Sequence, residues 1–196
     1  FFNLVKPKSS SDNKCGYLFA DIVSLFLLTK DRKNYSMHAL NLNYKKISMQ
    51  KIISDLGKTI EKYHLLLQQQ NETDFSAKPL PDKWSKKEEL GHLIDSAQNN
   101  IQRFIRVQYE ENVHIMYNPD NWVAFNDYQT SHLKELVELW YLLNKQIVVI
   151  LQKMPSSTYE TLMSFDKDAS VKNTTLFIAE DYVKHMKHHL ESITST

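Results

Sequence analysis

Cysteine, glycine and proline are scarce in this 196-residue chain, which has one, three and five of them. A single thiol, Cys15, cannot close an internal disulfide. A disulfide scaffold is therefore excluded, and a reducing, cytoplasmic setting is expected. With only three glycines, no Gly-rich phosphate loop or dinucleotide fingerprint can be written. So few turn-formers leave long uninterrupted stretches, the mark of an all-helical protein. An excess of one charge sign is lacking as well, with 24 basic residues against 23 acidic ones. That balance offers no electrostatic footprint for nucleic acid or for an acidic membrane surface. Among the first 48 residues the one long apolar run, "YLFADIVSLFLL" at 17–28, has 12 residues and contains Asp21. It falls short of the roughly 20 residues a bilayer needs, and no small-x-small cleavage signal follows it.

What is there, over most of the length, is helical periodicity. The chain opens on Phe1, and "KPKSSSDNK" reads as a flexible linker. Residues 1–48 are therefore expected to be an extension, with a single domain over 49–196 that begins at Met49. From there Ile52, Ile53, Leu56, Ile60, Tyr63 and Leu67 recur at three-four spacing, which buries one helical face. A loop is predicted over 70–84, where two prolines and polar residues break the period. Ser85 and Glu88 then form a capping box that opens a second helix, with Leu90, Leu93, Ile94, Ala97, Ile101, Phe104 and Ile105 inward.

Residues 112–131 have no period and read as a long crossover loop that covers what lies beneath it. A third helix carries Leu136, Leu139, Trp140, Leu143, Ile147, Ile150 and Met154 and stops at Pro155. Asn144 lies on its apolar side, where a buried amide needs a partner. A polar connection leads to a fourth helix, capped by Asn173 or one of the two threonines after it, with Leu176, Ala179, Val183, Met186, Leu190 and Ile193 on one arc. Four one-sided helices predict a four-helix bundle.

The segment "DYVKHMKHHLESI" concentrates three histidines near the end of that arc. His185 and His189, four apart, share a face just beyond its edge, whereas His188 is rotated nearly opposite and should face water. Such a pair can offer two nitrogens to one metal ion, or it can be a boundary pair with satisfied hydrogen bonds. His92 is the third candidate. It lies roughly opposite its helix's apolar arc, in a row with Ser96, Asn99 and Arg103. That row is either a solvated face or the lining of a cleft between helices. His38, His64, His114 and His132 have no matching spacing and are read as surface residues.

The pattern Trp84-Ser85-x-x-Glu88-x-x-x-His92-Leu93-x-Asp95, followed some ninety residues later by Tyr182-x-x-His185-x-x-His188-His189-Leu190, resembles the DinB/YfiT-like family. The likeness covers about Met49 to Ile193, in order and in spacing. It implies a DinB-like four-helix bundle in which His92, His185 and His189 hold one divalent metal.

Three imidazoles leave a tetrahedral ion one open position, as in catalytic sites, where zinc brings bound water to a pKa of ~7 or holds a thiol as thiolate. Zinc or nickel is expected, and imidazole also suits manganese and iron. Asp95 and Asp181, one turn from ligands, are candidates to accept a ligand's second ring N–H or to act as a base, and are otherwise solvated surface carboxylates. The implied activity is that of a metal-dependent hydrolase or low-molecular-weight-thiol S-transferase with a small-molecule substrate. The alternative is a non-catalytic metal-binding stress-response protein, with the bundle as a homodimerisation module. A dry, substrate-sized pocket beside the open metal position discriminates between them.

Overall fold

The computed structural model describes residues 30–195. The chain divides into two units, Phe1–Asn43 and Tyr44–Thr196. Cys15 and the apolar run at 17–28 lie outside the described residues. Four long helices carry the architecture: α1 (Lys30–Leu67), α3 (Lys86–Arg106), α5 (Leu133–Lys153) and α6 (Thr175–Thr194). Two short helices, α2 (Glu72–Ser76) and α4 (Pro119–Asn126), lie in the connections. The helix that was expected to open at Met49 starts upstream, at Lys30. Met49 is nevertheless the first buried residue of its described stripe, followed by Leu56, Ile60, Tyr63 and Leu67. A helix needs only adequate propensity to continue past its packed face.

Ion pairs join α1 to two neighbours. Lys187 of α6 meets Asp55 at 2.6 Å, and Lys145 of α5 meets Glu61 at 2.8 Å. Helix α3 packs against α2, α4, α5 and α6. The Ser85–Glu88 capping box forms as read: Ser85 Oγ accepts from the Glu88 N–H, and Glu88 accepts from the Ser85 N–H at 2.8 Å. Along α3, Leu90, Leu93, Ile94, Ala97 and Phe104 are buried, whereas Ile105 is exposed. On α5 the stripe is rotated from the expected one. Leu139 is exposed, and the line runs through Leu136, Val137, Trp140, Asn144, Ile147 and Leu151. Tyr182 of α6 donates its hydroxyl to Asn144 Oδ1 at 2.6 Å, which supplies the partner that the buried amide required.

Both loop expectations need correction. Within 70–84, Asn71 caps α2, which buries Phe75 completely. Glu72 of α2 accepts the Leu133 N–H at 2.8 Å and ion-pairs with the buried Lys87 at 2.6 Å. It thereby takes over the start of α5, where His132 makes no side-chain cap. The crossover contains α4, whose start is set by Asn118 accepting from the Asn121 N–H and by Pro119 in its first turn. Asp127 ends it in the left-handed region, at φ 48°. The chain then returns so that Tyr128 lies on α3 at Gly91, where a Cβ would meet the ring at 2.1 Å. Only glycine permits that approach. The polar connection before α6 holds a two-stranded antiparallel ribbon, β1 (Leu162–Met163) with β2 (Asn173–Thr174), and Thr174 caps α6.

Candidate metal centre

Helix α3 carries His92, and α6 carries His185 and His189 one turn apart. The Nε2 atoms of His92 and His185 are 3.3 Å apart, and those of His185 and His189 are 3.1 Å apart. One ligand nitrogen from each ring lies within 4.8 Å of the others. The rings are mutually edge-on, which lets three nitrogens converge without the rings clashing. Two nitrogens bound to one tetrahedral ion at ~2.0–2.1 Å would stand ~3.3–3.4 Å apart. The observed spacings are close to that value.

The protonation states also suit ligation. Burial, and then the neighbouring imidazoles, lower the pKa of His92 to about 4. Burial, followed by His189, lowers that of His185 to about 4. Both rings are therefore neutral near pH 7, with a lone pair free to bind a cation. His188 is exposed, as its position on the helix required.

His92 is 5 % exposed, although it lies opposite the apolar arc of α3. Ser96, Asn99 and Arg103 of the same row are buried with it. The solvated-face reading of this row therefore fails. Of the two alternatives, the cleft matches the geometry, because the crossover and α6 cover the polar side of α3. Trp84 lies over His92, with ring centroids 5.3 Å apart.

A carboxylate does support one of the rings, but neither Asp95 nor Asp181 supplies it. His189 Nδ1 lies 2.7 Å from Glu89 Oε1, so that the other nitrogen, Nε2, faces the cluster. Glu89 stands three residues before His92 and so shares its face, a spacing that sequence reasoning could have examined. Asp95 is fully buried and turned toward the crossover. Its Oδ1 accepts from the Tyr128 hydroxyl at 2.5 Å and from Asn126 Nδ2 at 3.1 Å. Burial pushes its carboxyl up to about 6. Asp181 is exposed and lines a cavity beside His185. Three buried side-chain atoms among the described residues lack a partner: His92 Nδ1, Asp95 Oδ2 and Trp140 Nε1.

The cavity holds about 260 Å³, and its wall includes His92, His185, Ser96, Arg103, Tyr117 and Asp181. Tyr117 and Arg103 were not assigned a site role from the sequence, because the crossover that brings Tyr117 in has no periodic signal.

Residues 55–193 match the sequence model of the DinB superfamily. The chain belongs to that superfamily. Among solved structures, the DinB fold here is similar to YfiT from Bacillus subtilis, described as a probable metal-dependent hydrolase with an unusual four-helix bundle topology. The TM-score is 0.67 at 21% identity, over 74% of this chain and 83% of that one. It is also similar to the mycothiol-dependent maleylpyruvate isomerase, with a TM-score of 0.59 at 11% identity, over 72% of this chain and 60% of that one. Among curated proteins none matches the chain. At these identities the likeness fixes the fold as a DinB-like four-helix bundle. No helix among the described residues is long and apolar enough to cross a membrane.

Proposed function

We propose that this chain is a metal-dependent hydrolase whose single divalent ion, zinc or nickel, is held by His92, His185 and His189. The observation that carries the reading is the convergence of three imidazole nitrogens, two of them on rings that border a cavity. Glu89 holds His189 in the tautomer that keeps Nε2 free, by accepting the Nδ1 proton. When bound, such an ion supplies Lewis acidity, which acidifies water or a thiol and polarises a carbonyl. Asp181, on the cavity wall beside His185, is placed to take a proton from a group that enters there. His92 itself is buried, which shields that ring from bulk solvent.

The likeness to YfiT supports hydrolysis. The likeness to the mycothiol-dependent isomerase favours a second reading, transfer or use of a low-molecular-weight thiol at the same three histidines. Metal analysis of protein purified without an affinity tag tests the common element, and one zinc or nickel per chain is expected. An esterase and thiol-transfer screen of the loaded protein then separates the two chemistries. A chain that retains no divalent metal would remove the proposal.

A further inference from the structure

Arg103 follows His92 by eleven residues, three turns along the same face of α3, or about 16 Å along the axis at 1.5 Å per residue. Its side chain lines the cavity that His92 and His185 also border. It is 7 % exposed, yet none of the ion pairs among the described residues involves it. Asp181, on the same wall, is not within ion-pair distance of it. A buried cation without a counter-charge is costly, and proteins commonly meet that cost with a bound anion.

The hydrogen bonds of the guanidinium show what is left over. Nε and Nη2 both donate to the Ile115 carbonyl, at 3.3 and 2.7 Å, and Nη1 donates to Asn100 Oδ1 at 3.4 Å. A guanidinium has five N–H donors. Two therefore remain, one on each terminal nitrogen, and a carboxylate with its two oxygens can accept from both. The guanidinium carbon lies over the Phe165 ring, 5.2 Å from its centroid, a cation–π contact. The remaining wall, with Tyr117 and Ile178, suits an apolar body between the two ends. At about 260 Å³ the cavity lies below the ~300–1,000 Å³ that hold drug-sized ligands.

We infer that the substrate is a small organic carboxylate, with its anion clamped by Arg103 and its reacting group presented at the three histidines. This deepens the metal-site reading and rests on it, but the Arg103 clamp can be measured without any metal. The probes are hexanoate and its neutral match, hexanamide, titrated calorimetrically into the full chain in zinc-loaded and in metal-free form.

Hexanoate is expected to bind both forms, and hexanamide at least tenfold more weakly. Arg103→Gln should weaken hexanoate at least tenfold while zinc stoichiometry is unchanged, and Arg103→Lys should recover part of the affinity. Equal affinity for acid and amide would overturn the inference. So would an unaltered R103Q chain, or hexanoate binding that requires zinc. Should the R103Q chain not fold, the Arg103 side-chain Nε–H resonance of the unsubstituted protein decides. It must shift with hexanoate and not with hexanamide, and an unmoved resonance sinks the clamp. A chain that binds hexanoate through Arg103 but no divalent metal would refute the metal reading and leave the clamp standing.

Discussion

Two histidine–carboxylate pairs of nearly identical length occupy different regions of the molecule. His64 of α1 meets Glu138 of α5 at 2.8 Å, and His189 of α6 meets Glu89 of α3 at 2.7 Å. They differ in which nitrogen is committed. His64 donates its Nε2–H to Glu138 Oε1, which also accepts from Gln68 Nε2 at 3.0 Å, and the ring stacks flat on Tyr141 at 3.9 Å. Glu138 is half exposed, and no other imidazole among the described residues joins the pair, so it closes on itself. His189 commits Nδ1 and leaves Nε2 pointed at two other imidazoles. A hydrogen bond of nearly the same length is thus a surface latch in one place and an orienting device in the other. The surroundings decide which, because only the second pair lies beside a buried row that can receive a ligand.

The largest effect expected from breaking this contrast is on metal content. Replacing His92, His185 or His189 by Ala should lower divalent metal from one per chain to near zero by elemental analysis, whereas His64→Ala and His188→Gln should leave it unchanged. Equal loss from H188Q and H189A would refute the ligand assignment.

Next in size is the carboxylate. Glu89→Gln should cost roughly 10–100-fold in metal affinity. Glu138→Gln, the same change at the other pair, should cost nothing in a competition titration. Matched losses would mean that the two pairs are equivalent.

The third test concerns Asp95, whose folded pKa of about 6 lies above its ordinary value because the carboxyl is buried. The folded state then holds a proton that the unfolded chain has released, so this group's contribution to stability falls as pH rises from about 4 to about 6. His92 and His185 act in the opposite sense, because their depressed values make stability fall as pH drops below about 6.5. Comparison with Asp95→Asn cancels the imidazoles and keeps an acceptor for Tyr128. The variant should gain about 1–3 kcal/mol relative to the parent between pH 4 and pH 7 in denaturant unfolding. Parallel stability–pH curves would show that burial does not perturb this carboxyl.

Smaller effects are expected at the periphery. His64→Gln should change stability by about 0–1 kcal/mol, as exposed pairs do. A chain that starts at Met49 should unfold cooperatively with little loss of stability, because the described buried stripe of α1 begins there. Loss of the cooperative transition would show that the preceding residues belong to the folded domain.

Much of this was legible in the amino-acid order. Apolar three-four spacing placed all four long helices, and the Ser85–Glu88 box placed the start of α3, because helix faces and caps are set by neighbours within one or two turns. The motif around His92 and the pair at His185 and His189 pointed to the same three side chains that the fold gathers. Stripe phase on α5 was less legible. Leu139 is apolar but exposed, while Asn144 is polar but fully buried, and the choice depends on Tyr182 arriving from α6 with its hydroxyl.

Locally encoded features, then, belong to the sequence by itself: helix periods, caps, the shortage of turn-formers, and which histidines share a face. Only tertiary structure decided that the polar row of α3 is interior. Its burial depends on α6 and on a crossover without periodicity, held down where Tyr128 meets Gly91 and Asp95. The same packing chose Glu89 over Asp95 and Asp181 as the histidine's partner. All three carboxylates lie within about a turn of a histidine, and helical spacing cannot say which of them the neighbouring helix will face.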